Sequence, residues 1–299
     1  MKPTAALLFL LAAGPALAQA EVEVSVDAGL AAERFTIWHD ASAQFPILGS
    51  PTSILDHVAL IGPSLSLSAS TGLLDPVYVK ADLTATTFVM GAFHDTDYLA
   101  GNLLFSDTWS DVRGGKLQAG LKFAPPQMAA FPLGAGQFRP YVTTSAEATA
   151  LTAHGLICTL ACAVGPLPAG QAVIEQAIYS GDIGLGGAWQ TEGAHGTFTA
   201  YGELAVGRLR VFDSHLLRAD LGRTPNIVYG FTTISAVAGL AHDWSISENL
   251  ALVVSGEVQG TYGMGDVLFG PGLASPLGPY PAWLSTFGGK LSAGLTGHF

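Results

Sequence analysis

The chain is short of charge. Only 12% of its 299 residues are Asp, Glu, Lys or Arg, and just 12 are basic. With so few Lys and Arg and a formal net charge of −11 at pH 7, nucleic acid is excluded as a partner, because phosphate binding needs clustered cations. Acids lining a cleft would instead attract basic partners. Cysteine is nearly absent: Cys158 and Cys162, in "CTLAC", are the only two. No histidine or second cysteine pair accompanies them at zinc spacing. They read as a disulfide stapling a loop in an oxidising compartment, with no metal. Long apolar runs are lacking as well. Beyond the N-terminus nothing approaches the roughly 18 uninterrupted apolar residues of a membrane-spanning helix. The N-terminus itself carries Lys2, the apolar "AALLFLLAAGPALA" and the small-residue motif "ALA" at 16–18. That is the form of a secretory signal peptide. Residues 1–20 are set apart on this basis, leaving one domain over 21–299.

What the chain has in quantity is apolar residues, 49% of the total, and they alternate with polar ones. In the final "KLSAGLTGHF", Leu291, Ala293, Leu295, Gly297 and Phe299 share one face of a strand. Lys290, Ser292, Gly294, Thr296 and His298 share the other. Such a period of two, apolar outside and polar inside, marks a transmembrane β-strand. "VEVSVDAGLAAE" repeats it, with Val22, Val24, Val26, Ala28 and Leu30 outward and Glu23, Ser25, Asp27 and Glu33 inward. "VYVKADLTAT", "KLQAGLKF" and "NLALVVSGEVQGTY" do the same, and further candidates lie near 54–69, 137–153, 174–189, 196–212 and 227–242. The expected fold is all-β: a transmembrane, antiparallel up-and-down β-barrel of about ten strands in a Gram-negative outer membrane. The even count brings both termini to the periplasm. The Gly- and Pro-rich segment 264–282 reads as a long external loop, and "FAPPQMAAFPLGAGQ" as the connection between the fourth and fifth strands.

Two short motifs carry candidate chemistry. "GAFHDTDYLAG" holds Asp95 and Asp97; "RVFDSHLLR" holds Asp213 and His215. In the barrel the first pair follows the third strand and the second follows the seventh. Odd strands run outward together, so both pairs should emerge at the extracellular rim. A histidine near neutral pKa can take a proton from water, and a carboxylate beside it fixes the tautomer. Two close carboxylates can hold the other side of that water and share a proton. The remaining histidines, including His39 and His57, read as scattered interfacial or loop residues, with His94 near enough to the first pair to tune it.

With these motifs and a C-terminal Phe, the sequence resembles the omptins, outer-membrane aspartyl-type proteases built as ten-stranded barrels. "LAAERFTIW", "SILDHVALIGPSLSL", "HDTDYLAG" followed by "TWSD", "SAEATALTAHG" and "FDSH" are each similar to a family segment. The resemblance implies a catalytic set of Asp95, Asp97, Asp213 and His215, with a water activated between His215 and Asp95. It implies that Glu33 lines the pocket for a basic substrate side chain, so that peptides or proteins are cut near basic residues. Val211 stands where the family has a second acid in that pocket, which points to weaker selection. The family uses no cofactor but needs lipopolysaccharide for activity, so lipopolysaccharide and outer-membrane lipids are implied as partners. The alternatives are a non-catalytic barrel serving as an adhesin or structural surface protein, and a small porin.

Overall fold

The computed structural model describes residues 22–160 and 165–299. The expected signal peptide and Cys162 lie outside the described residues. Twelve strand segments follow in order: β1 (Val22–His39), β2 (Leu48–Thr71), β3 (Tyr78–Phe88), β4 (Met90–Leu99), β5 (Leu103–Ala124), β6 (Phe131–Leu133), β7 (Gly136–Leu160), β8 (Leu167–Gly193), β9 (Gly196–His215), β10 (Ile227–Ser247), β11 (Leu250–Phe269) and β12 (Leu277–His298). All neighbours are antiparallel. Both β3 and β4 lie between β2 and β5, so they are two halves of one stave. The short β6 pairs only with the start of β7. The ring therefore has ten staves, as the alternation predicts. It closes where β1 meets β12, in register from Glu23 opposite His298 to His39 opposite Ala282. Val22 N–H donates to Phe299 O at 3.0 Å and Phe299 N–H to Val22 O at 2.9 Å, so both termini share one end.

Near that end the outward faces are apolar. Leu30, Leu204, Ile234 and Leu291 are 57%, 66%, 63% and 72% exposed, a surface suited to lipid rather than water. The inward faces are polar. Lys116 is ion-paired to Glu33 and lies 3.3 Å from Glu147, and Lys122 pairs with Glu203. Tyr141 and Tyr201 donate their hydroxyls to Glu203 and Glu257 at 2.9 and 2.6 Å. A polar cavity of about 400 Å³ occupies this half of the lumen.

Further along each strand the pattern inverts. On β1 the outward residues become Arg34 and Thr36, and the inward ones Phe35 and Ile37. On β9 Arg208 and Arg210 turn outward while Leu209 and Val211 are buried. On β5 Arg113 is exposed and Val112 is buried. These arginines mark the upper edge of the apolar band. Above them the barrel stands in water and packs like a soluble protein, apolar inside and polar outside. All ten staves contribute to the resulting core, among them Phe35, Leu55, Phe93, Leu151, Leu209, Tyr229 and Leu284. This layer occludes the lumen, and the small-porin alternative does not fit it.

The inversion also corrects two expectations. Asp95 and Asp97 do not sit in a loop after the third strand. They are paired residues of β4, and Asp213 and His215 are likewise paired residues at the end of β9. The stretch 264–282 is mostly strand, because β11 runs to Phe269 and β12 starts at Leu277. The "FAPPQMAAFPLGAGQ" segment does connect the fourth and fifth staves, through a single 3-10 turn and β6.

Candidate active site

Above the apolar layer, the strand parity that buries Phe93 also turns Asp95 and Asp97 inward. Asp95 lies opposite Leu55 of β2 and Thr108 of β5. Asp97 lies opposite Ser53 and Ser106. Ser53 donates its hydroxyl to Asp95 Oδ1 at 3.2 Å and is also within hydrogen-bond reach of Asp97. One serine thus stands beside both carboxylates and gives its single proton to Asp95. Nothing in the sequence motifs singled it out, although it falls on the inward parity of β2 with Leu55.

Across the ring, Asp213 is fully buried, opposite Gln176 of β8 and Ile227 of β10. Its Oδ2 accepts from Gln176 Nε2 at 3.1 Å and faces His215 Nε2 at 3.3 Å. The backbone of His215 is clamped by Asn226, which precedes β10. Asn226 Oδ1 accepts the His215 N–H at 2.9 Å, and its Nδ2 donates to His215 O at 3.0 Å. The side chains from the third and seventh staves meet in one electrostatic cluster: Asp95 and Asp97 each interact with His215, and Asp95 also with Asp213. Arg218, in the turn after β9, forms an ion pair with Asp220 at 2.8 Å and also interacts with Asp97.

The cluster lies beyond the apolar band, and its electrostatics follow from burial and proximity. Burial pushes the Asp95 carboxyl up to about 7, with the like charge of Asp97 adding to it and His215 opposing. Asp97 is raised for the same first reason. Burial works against a charged His215, but Asp213 outweighs it, through charge and hydrogen bond, and the ring is shifted upward overall. One carboxylate inclined to keep its proton therefore lies within electrostatic reach of a histidine inclined to accept one. Such pairing of groups with displaced pKa values is the usual signature of acid–base chemistry.

Two histidines expected to be scattered are part of this region. His39 and His57 are 6% and 2% exposed. Burial lowers both to about 4, so they are neutral. His39 interacts with His215, and His57 lies against Asp213 and Gln176. The sequence signal for them was parity: His39 continues the inward Phe35 and Ile37, and His57 the inward Ser53 and Leu55. His94 takes the opposite parity. It stacks on Trp109 at 3.9 Å on the outer face and pairs with Asp107.

Glu33 does not join the cluster. It points into the lower lumen, on the far side of the apolar layer, with its carboxylate held by Lys116. The parity that turns it inward was read correctly, but the inversion of the pattern places Phe35 and Leu60 between it and the rim. Val211, at the position of the missing second acid, is wholly buried in that layer. Cys158 is disulfide-bonded; its expected partner, Cys162, lies outside the described residues. Among the described residues, no group of three or more His, Cys, Asp or Glu is arranged to hold a metal ion.

No protein-family model matches the sequence, and no curated protein matches it. Solved structures do resemble it. The outer membrane protease OmpT from Escherichia coli superimposes with a TM-score of 0.72 at 10% identity, over 93% of this chain and 97% of that one. The outer membrane protein OprG from Pseudomonas aeruginosa gives 0.37 at 11% identity, over 94% and 96%. Ail of Yersinia pestis gives 0.30 at 11% identity, over 92% and 97%. The ring, its lipid-facing band and the first of these likenesses define the class: the chain has the fold of an outer-membrane β-barrel.

Proposed function

We propose that this barrel is an omptin-like endopeptidase whose active site opens on the extracellular side. The observation that supports it most is the meeting of Asp95 and Asp97, from the third stave, with Asp213 and His215, from the seventh. A water between His215 and Asp95 is the nucleophile. As its oxygen attacks the scissile carbonyl carbon, its proton passes to His215 Nδ1, the ring nitrogen not facing Asp213. Asp213 is a positioning residue that fixes the ring and stabilises the imidazolium. The proton retained by the Asp95–Asp97 couple is held in a hydrogen bond to the developing oxyanion and stays with the couple when the carbonyl reforms. The imidazolium then gives its proton to the departing amine as the C–N bond breaks, leaving a carboxylic acid and an amine. The likeness to an outer membrane protease is compatible with this reading, and the support comes from the site itself.

The acid-rich cluster favours basic peptides by long-range attraction, without a dedicated acidic pocket beneath it. Lipopolysaccharide is proposed as the activator, since the site stands directly above the membrane-facing band. The test uses the barrel folded in detergent, with and without lipopolysaccharide, and a mixed peptide library read by mass spectrometry. Cleavage that is absent from both His215→Ala and Asp95→Ala establishes the protease. A folded wild-type barrel that cuts nothing in either condition removes it.

A further inference from the structure

A carboxylic acid carries its proton on one of two oxygens, and Ser53 makes the two oxygens of Asp95 unequal. Ser53 belongs to a row of residues that crosses four strands: His39 of β1, Ser53 of β2, Asp97 of β4 and Ser106 of β5 are register partners in turn. It is 5% exposed, so its hydroxyl must find a partner inside the barrel. Register sets Asp97 directly opposite Ser53 and Asp95 one diagonal step away. The hydrogen nevertheless follows the diagonal, to Asp95 Oδ1 at 3.2 Å. A serine has only one hydrogen to give. On the other side of β4, Thr108 lies opposite Asp95 and donates to its backbone oxygen, at 3.5 Å, rather than to its carboxyl. Among the described residues, no hydrogen bond reaches Asp95 Oδ2. Oδ1 is thereby the accepting oxygen, and Oδ2 is the one left to carry a proton.

We propose that Ser53 is a positioning residue for Asp95: by donating to Oδ1 it fixes the acid proton on Oδ2, where it meets the developing oxyanion. Without that donor the proton is free to sit on either oxygen, and part of the population turns an acceptor toward the oxyanion. No proton leaves the couple in this step. The role rests on the function proposed for Asp95, but its first test does not require cleavage. The charged or titratable groups facing the couple are His215 and Asp213 of β9, Arg218 in the turn that follows, and Tyr229 of β10. His39 of β1 lies opposite Ser53 itself.

The experiment follows the Asp95 carboxyl by carbon-13 NMR across pH, in the full barrel, aspartate-labelled and folded in detergent micelles. The Asp95→Asn spectrum assigns the signal. A donor on Oδ1 favours the ionised carboxyl, so Ser53→Ala should raise the Asp95 midpoint by roughly half a pH unit. Ser53→Thr keeps the hydroxyl and should leave the midpoint at its wild-type value. Ser53→Val, with the shape of threonine but no hydroxyl, should raise it as alanine does. If Ser53→Ala fails to fold, the threonine and valine variants make the same comparison. A midpoint that falls would show the hydroxyl accepting the acid's proton. That result, or an unmoved midpoint in a folded variant, overturns the proposal. In the parallel peptide assay, Ser53→Ala should lower kcat about tenfold with KM unchanged, and carry the falling limb of the pH profile upward by the same half unit. Ser53→Thr should recover both. An unchanged kcat in Ser53→Ala overturns the positioning role even where the midpoint rises. A wild type that cuts nothing would remove the protease reading while leaving the NMR result to decide which oxygen Ser53 leaves for the proton.

Discussion

His215 and Asn226 are tied to each other twice, backbone N–H to Oδ1 at 2.9 Å and Nδ2 to backbone O at 3.0 Å. Asn226 is itself anchored, donating its N–H to Asp213 O at 3.1 Å and accepting from Gly270 N–H at 2.8 Å. The end of β9 is thereby fixed to the loop before β10 and to the loop after β11. Asn226→Ala should lower kcat by roughly 10- to 100-fold, because it displaces the base without removing it. The same variant should leave the barrel's melting temperature within a few degrees of wild type, as read by heat-dependent gel mobility.

The proposed catalytic set gives the sharper prediction. His215→Ala and Asp95→Ala should each reduce peptide cleavage by about a thousandfold or more. Both should still fold, since neither side chain belongs to the apolar layer. Residual cleavage at wild-type rates in either variant would assign the activity to other groups.

The pH dependence follows from two opposed requirements. His215 must be neutral to accept a proton, and its pKa is shifted upward by Asp213, so cleavage should climb as pH rises through a value above the ordinary 6.5. Asp95 must keep its proton, which it does up to about 7, so cleavage should fall above neutrality. The profile is a narrow bell. Asp97→Asn removes the like charge that helps to raise Asp95, so the falling limb should move to lower pH, by on the order of one unit. A kcat profile measured between pH 5 and 9 checks it.

The same shift has a consequence for stability. Asp95 binds its proton more tightly folded than unfolded, with burial raising its pKa from 3.8 to about 7. Its contribution is present in full below the unfolded value and is lost as pH rises through the folded one. Asp95→Asn should therefore stabilise the barrel at pH 8, by up to a few kcal/mol, and change little at pH 4. Urea unfolding followed by tryptophan fluorescence at the two pH values reads the difference.

These predictions concern residues that the sequence revealed unevenly. The membrane half was legible because lipid outside and a polar lumen inside impose one alternation on every strand, as in Leu291, Leu295 and Phe299. The upper half was not, because water replaces lipid at the level of Arg34, Arg113 and Arg208, and the alternation changes sign there. A single rule ends the strand where only its surroundings change. That is why Asp95 and Asp97 looked like loop residues. The two acid pairs stood out by their short spacing. Ser53, Gln176 and Asn226 did not, since they act through cross-strand register, which local sequence does not display.

Glu33 allows the two halves to be separated experimentally. Lys116 holds both Glu33 and Glu147 in the lumen, so Lys116→Met leaves two carboxylates without their cation and should cost about 3–5 kcal/mol. Glu33→Gln keeps a hydrogen-bond partner for the lysine and relieves the crowding of two acids, so its cost should be smaller, roughly 1 kcal/mol. Neither change reaches the rim through the apolar layer of Phe35 and Leu60. The cut sites in the peptide library should therefore be the same for Glu33→Gln as for wild type. A loss of basic selection in that variant, with stability unchanged, would instead place Glu33 in the substrate pocket and require the layer above it to open when substrate binds.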